Sequence, residues 1–262
     1  MSHKTLVNGT VYEVKGGKCL VNGTRYDIKK GRTLIGGTGY DITFAPPLVM
    51  PVKGDIITMN LDGTDRLYRV LKIVDKTVVE VLTMWNLHGD LRFDQNYSNY
   101  KDSELDAYLN TTWYNTLSST AKAALVSKNI NQYTYTDNSV YNQNAHASYA
   151  DYSTKILNEN VGNRYIYALD VEDIEMYFGG TGGSVNDKTP ATFSKTDILQ
   201  MFWNRTTTIG EFVWLRSKKA NGYGYGWSVK GKGFVDYSIV NAFGKARGAL
   251  QIDLSKIGFT IN

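Results

Sequence analysis

Three tandem copies of a fourteen-residue unit open the chain, and they constrain it more than any other feature. Lys4-Thr5-Leu6-Val7-Asn8-Gly9-Thr10-Val11-Tyr12-Glu13-Val14 is followed by Lys18-Cys19-Leu20-Val21-Asn22-Gly23-Thr24-Arg25-Tyr26-Asp27-Ile28, then by Arg32-Thr33-Leu34-Ile35-Gly36-Gly37-Thr38-Gly39-Tyr40-Asp41-Ile42. Asn-Gly and Gly-Gly tolerate positive φ at both central residues of a two-residue hairpin turn, so each unit reads as a β-hairpin. Gly16-Gly17 and Lys30-Gly31 are the expected turns between units. A strip of short strands buries little core alone. Residues 1–44 are therefore read as an all-β hairpin-repeat module for attachment or assembly. Leu6, Tyr12, Leu20, Tyr26, Leu34 and Tyr40 are its aligned assembly positions.

Pro46, Pro47 and Pro51 impose extended backbone and mark residues 45–53 as a linker. Residues 54–262 form the larger domain. Strands are expected at 55–59, 67–74 and 77–84, with Asp62-Gly63 and Asp75-Lys76 as turns. Ser103 is placed to cap a helix with Leu105, Tyr108, Leu109 and Trp113 on one face, and Ala121–Val126 reads as a second helix. The polar stretch 127–163 carries no assignable period. A strand over Arg164–Leu169 runs into a helix over Val171–Phe178 capped by Asp170, and Ser194 caps another through Trp203. Strands return at 212–217, 225–229, 233–237 and 249–254. Strands at both ends with helices between them predict an α+β domain whose termini lie close together.

At the C-terminal third a resemblance enters. A Trp214-Leu215-Arg216-Ser217 strand, a Gly/Tyr-rich loop, a strand holding Trp227, Gly233-Phe234-Val235 and Arg247-Gly248-Ala249-Leu250-Gln251-Ile252 follow in the order found in bacterial and phage C-type-lectin-like domains. That family includes the formylglycine-generating-enzyme fold and the variable proteins of diversity-generating retroelements. Its usual Gly-Val-Arg-Pro-Ala ending is similar to Gly244-Lys245-Ala246-Arg247-Gly248-Ala249, which lacks the Pro. Trp113-Tyr114-Asn115 and Tyr165-Ile166-Tyr167-Ala168-Leu169 resemble an uncharacterised branch found in gut Firmicutes and their prophages. The N-terminal units resemble hairpin repeats of phage structural proteins. Together these resemblances imply a virion component of tail, baseplate or capsid surface.

Enzyme chemistry has little to stand on. The formylglycine-generating branch uses a cysteine pair, whereas the chain's one cysteine, Cys19, lies in the repeats. The three histidines are His3, at a terminus, and His88 and His146, in polar loop sequence. No metalloprotease His pair or P-loop occurs, and Gly179–Gly183 lacks the Lys-Ser/Thr of a phosphate loop. Asp170, Glu172, Asp173 and Glu175 crowd a helix start, where acidic residues favour the macrodipole. The lectin family's Glu-Pro-Asn calcium triplet is absent. No catalytic residue, metal or cofactor is predicted.

The binding face implied by the resemblance comprises Asn221, Tyr223, Tyr225, Asp236, Tyr237 and Asn241, with Trp214 and Trp227 in the core. Tyr offers large contact area at small entropic cost, and this chain has 19. The 29 basic and 25 acidic residues are scattered without a basic stripe, so no nucleic-acid partner is expected. No apolar run suits a signal peptide or membrane span. The resulting expectation is a virion protein made in the host cytoplasm, present in several copies. It joins other virion proteins through residues 1–44 and binds a host-surface glycan or protein through its lectin-like domain. A purely architectural protein such as a capsid decoration is the alternative, and a surface hydrolase a third reading.

Overall fold

The computed structural model describes residues 3–43 apart from the links between strands, and residues 48–135, 155–173, 212–220, 224–230 and 234–262. For residues 3–43, Trp227, 229–230 and 234–237 it describes the backbone alone. The chain divides into two compact units, Met1–Val49 and Met50–Asn262. That boundary sorts the charge. Residues 1–49 hold seven basic and three acidic side chains, whereas 50–262 hold 22 of each, so the net +4 resides wholly in the first unit.

The first unit contains β1 (His3–Val7), β2 (Thr10–Val14), β3 (Gly17–Val21), β4 (Thr24–Ile28), β5 (Lys30–Ile35) and β6 (Thr38–Thr43). Among the described residues these make three separate two-stranded sheets. Val7 pairs Thr10, Val21 pairs Thr24 and Ile35 pairs Thr38, which leaves two residues to connect each hairpin. The register repeats faithfully: Thr5, Cys19 and Thr33 lie opposite Tyr12, Tyr26 and Tyr40. Lys4, Lys18 and Arg32 lie opposite Glu13, Asp27 and Asp41, so each unit sets one basic position across from one acidic position. Lys30-Gly31 opens β5 rather than forming the expected turn, and Gly17 opens β3. His3 also joins β1, opposite Val14.

In the second unit, β7 (Ile56–Asn60), β8 (Asp65–Ile73) and β9 (Val78–Thr83) follow the expected boundaries closely. Then come β10 (His88–Leu91), α1 (Glu104–Ala107), a π-helical turn (Tyr108–Trp113), α2 (Tyr114–Thr116) and α3 (Ser119–Ala124). The remaining strands are β11 (Leu125–Val126), β12 (Lys128–Tyr135), β13 (Lys155–Arg164), β14 (Ile166–Tyr167), β15 (Phe212–Lys219), β16 (Tyr225–Lys230), β17 (Phe234–Ile239), β18 (Gly244–Ala246), β19 (Ala249–Asp253) and β20 (Phe259–Ile261). Among the described residues they build two seven-stranded sheets. One runs β11-β19-β9-β8-β7-β20 with β14 also on β19; the other runs β10-β18-β15-β12-β13 with the β16–β17 hairpin on β15. β20 pairs β7, so the ends of this unit meet on one sheet edge.

The α+β, C-type-lectin-like expectation is therefore corrected: the protein is mainly β, with one short helical region. Two local causes account for the difference. Residues 128–135 and 155–164, polar enough to hide any period, pair as a long antiparallel hairpin with two register shifts. Leu125-Val126, expected to continue a helix, leaves α3 to pair with Ile252 and Gln251. The expected helix from Val171 is described only over residues 171–173, and the one from Ser194 lies outside the described residues. Ser103 does cap α1, its hydroxyl accepting from Asp106 N at 3.1 Å, and Leu105, Leu109 and Trp113 are buried as the spacing predicts.

Ile57, Met59, Val70, Val81, Leu250 and Ile252 are buried on the first sheet. Trp214 fills the second, edge-on to Phe212 (4.7 Å) and Phe93 (5.6 Å). The segment Arg247-Gly248 carries the chain from β18 in one sheet to β19 in the other. A Cβ at Gly248 would lie 2.8 Å from Ile166 and 3.1 Å from Leu87, so this crossing requires glycine.

Buried polar groups join the elements. The Gln132 amide donates to Ser98 O and Arg216 O, both at 2.7 Å, and its oxygen accepts from Tyr100 N and Asn158 Nδ2. Arg216 donates to Asp173 (2.6 Å), Ala168 O (2.8 Å) and Asn131 O (2.9 Å). Asp170 accepts from Tyr135 OH, Ser217 Oγ and Glu172 N.

After β19, the Asp253 carboxylate accepts from the Ser255 hydroxyl (2.7 Å) and amide (3.1 Å). The hydroxyl bond is foremost in pulling this carboxyl down to about 2. A depressed carboxylate stabilises the fold above its unfolded value of about 3.9, and that contribution fades as pH falls toward 2. Ser255→Ala is expected to move the Asp253 titration up toward the ordinary carboxylate range in an NMR pH series. An unchanged midpoint would assign the depression to other groups.

Candidate functional site

The helical region and the β13–β14 junction enclose an open groove of about 470 Å³, lined by Asp102, Asp106, Asn110, Tyr114, Arg164 and Tyr165 among others. Its construction starts at Asp102, which adopts φ +64°, a left-handed conformation that Asp and Asn tolerate better than other side chains. That turn directs Asp102 N–H to Asp106 Oδ2 at 3.1 Å. Asp106, 3% exposed, also receives Arg164 Nε at 2.9 and 3.1 Å and Nη2 at 2.7 Å, a bidentate pair. The Asp106 hydrogen bonds hold the guanidinium above the ordinary arginine value.

Asn110 follows one turn after Asp106 and completes the seam. Its Nδ2 donates to Asp106 Oδ1 (2.9 Å) and Ile166 O (2.7 Å), and its Oδ1 accepts from Ile166 N (3.3 Å). The side-chain amide thus gives β14 the pairing that a neighbouring strand would supply. Asn110 sits inside the π-helical turn, and such turns cluster at functional sites.

Two rings line the same groove. Tyr114 and Tyr165 stack with centroids 5.5 Å apart and planes inclined by 19°. Lys122 Nζ lies 5.2 Å from the Tyr114 ring, while Tyr165 is 41% exposed. Asp106 has both oxygens engaged, so its role is to fix Arg164 and Asn110. Asp102, Thr111, Asn163 and the Tyr165 face are left to meet a ligand.

The predicted C-terminal face is only partly described. Asn221 and Tyr223 lie outside the described residues, as do the side chains of Asp236, Tyr237 and Trp227. On the backbone, Asp236 and Tyr237 pair with Ser228 and Trp227. Tyr225 is half-buried, its ring 5.5 Å from Lys219 Nζ, and pairs with Ile239. Asn241 is exposed in the turn after β17, at the same end of that hairpin. Beside it Ile239 and Phe243 are 48% and 59% exposed, with the Arg92 guanidinium 4.8 Å from the Phe243 ring. The six assembly positions in residues 1–44 take equivalent register positions, and their side chains lie outside the described residues.

Other expectations shift as well. His88 belongs to β10 rather than to a loop, with Nδ1 accepting from Asp90 N at 3.0 Å; His146 lies outside the described residues. Asp170 does cap residues 171–173, accepting from Glu172 N at 3.1 Å while Asp173 Oδ2 accepts from Asp170 N at 2.8 Å, and Arg216 and Tyr135 tie the two carboxylates into the interior as well. Among the described residues no three His, Cys, Asp or Glu side chains converge as a metal set. No described helix is long and apolar enough to cross a membrane.

Asp102, Asp106, Asn110 and Arg164 escaped the sequence reading. Its one pointer was the pair of motifs around Tyr114 and Tyr165, whose rings the fold brings into contact.

Fold and groove define a class: a two-sheet β unit with a hydrogen-bonded aromatic groove on one side. Residues 73–254 match the model of a family described as "Domain of unknown function (DUF6273)", and the chain belongs to that family. Neither a curated protein nor a solved structure matches it.

Proposed function

We propose that this protein is a non-enzymatic recognition component of a virion, fastened through residues 1–44 and binding a host-surface glycan in the groove of its second unit. The observation that carries this reading is the exposed Tyr165 ring, braced by Tyr114 and lining one groove with polar groups already fixed by Asp106 and Asn110. A braced ring beside oriented hydrogen-bonding groups suits the apolar face and hydroxyls of a sugar, and little ordering remains to be done on binding. The repeated hairpins, with all of the chain's net positive charge in their unit, suit an acidic partner surface on the particle. Several copies would raise a weak single-site affinity by avidity.

The test is a pull-down on host cell walls and glycans with the full chain. Tyr165→Ala is expected to lower binding about tenfold, the scale of losing one aromatic anchor, with the unit still folding cooperatively and melting lowered only by the loss of the Tyr114 stack, about 1 kcal/mol. Binding indifferent to Tyr165 would end the groove reading, and turnover of a polymer would replace it with an enzyme. The exposed Ile239 and Phe243 favour a second, architectural reading, in which this face contacts neighbouring subunits. Binding to virion components alone, lost on Phe243→Ser, would support it.

A further inference from the structure

We infer that the groove selects an amino sugar, its ring on Tyr165 and its ammonium on Asp102; this rests on the glycan reading of the same groove. The argument is one of charge. Of the ionic side chains lining the groove, Asp106 and Arg164 neutralise each other in their bidentate pair. What remains is Asp102, an exposed carboxylate whose field reaches Arg164 but whose side chain is not in the bidentate pair; its backbone N–H is spent on Asp106. The lining is therefore net negative by one charge, although the unit as a whole is neutral.

An anionic ligand would find no free cation among the lining residues: Arg164 is committed, and Lys122, outside the lining, faces the Tyr114 ring. A cationic amine would meet both the carboxylate and the π-face of Tyr165, two attractions of the same sign. A groove of about 470 Å³ exceeds what an ammonium alone requires and admits a sugar ring, whose hydroxyls reach Thr111 and Asn163. Asp102 is thus the specificity-determining residue. Its left-handed backbone makes asparagine the informative replacement, because Asn tolerates φ +64° and removes only the charge.

The experiment is calorimetric titration of the full chain with four probes: a glucosamine tetramer in its ammonium form, the fully N-acetylated tetramer, an oligogalacturonate and a tetralysine peptide. The glucosamine tetramer is expected to bind about three- to tenfold more tightly than its acetylated counterpart, the size of an exposed ion pair with a cation–π contact. The preference should shrink in high salt. Asp102→Asn should bring the two tetramers to parity without lowering the melting temperature, and Tyr165→Ala should weaken both about tenfold. Equal binding of the two tetramers by the native chain, tighter oligogalacturonate binding, or a preference surviving in Asp102→Asn would overturn the inference. So would tetralysine binding as tightly as glucosamine, which would make the groove a peptide site, or a failure of the glucosamine tetramer to bind. If Tyr165-dependent binding goes instead to a neutral or acidic glycan, the groove reading stands and the amino-sugar inference alone falls.

Discussion

Arg216→Met is expected to destabilise the second unit by about 3–5 kcal/mol in urea unfolding at pH 7, the cost of leaving buried charge without its partner. Arg216 is 6% exposed and serves two carboxylates, Asp173 at 2.6 Å and Asp170 at 3.9 Å. Burial works against ionised Asp173, but Arg216, with Lys128 and hydrogen bonds, outweighs it and holds this carboxyl below the ordinary range. For Asp170 burial prevails, and its carboxyl stands above that range with Arg216 only partly offsetting.

The two signs differ. Asp173 stabilises the fold above its unfolded value and loses that contribution as pH falls. Asp170 costs stability when ionised and is relieved as pH falls through its raised value. Removing Arg216 leaves both carboxyls favouring their protons, so the deficit of the variant should narrow between pH 7 and pH 5. A loss below 1 kcal/mol, or one indifferent to pH, would mean that Tyr135, Ser217 and the backbone satisfy the pair unaided.

The most deeply buried arginine among the described residues should behave in the opposite sense. Arg247 is 2% exposed, and among the described residues only its Nε finds a partner, Asn86 Oδ1 at 3.0 Å; Nη1 and Nη2 have none. Burial pushes it down from 12.5 to about 9. A base so depressed carries its full desolvation penalty below its folded value, and the penalty lifts as pH rises through it. Arg247→Met keeps length and volume while removing two unsatisfied groups, and a gain of about 1–3 kcal/mol is expected at pH 7. Scanning calorimetry would register it as a higher melting temperature. A loss instead would show that the guanidinium is satisfied in solution, by internal water for example.

The contrast also shows where sequence reading works and where it stops. β7, β8 and β9 were readable because β-branched runs alternate with an Asp-Gly turn, and the hairpin units because tandem repetition needs no tertiary knowledge. β12 and β13 were not, since one core position there is Gln132, whose burial depends on acceptors at Ser98 and Arg216 that no local pattern reveals. The groove was hidden for the same reason. Its bidentate pair joins residues 58 positions apart, and its stacked rings belong to Tyr114 and Tyr165, on different elements. Apolar periodicity reports which face is buried; it does not report which polar groups meet.

The pairing of β20 with β7 has a practical corollary. Both chain ends of the second unit leave from neighbouring strands, Asn262 N reaching Ile56 O at 2.9 Å, so the body can be spliced into a host loop as a cassette or re-cut into a circular permutant with a short bridging peptide. A body of this kind can be moved between carriers with the stretch that builds its groove, residues 102–165, left uncut.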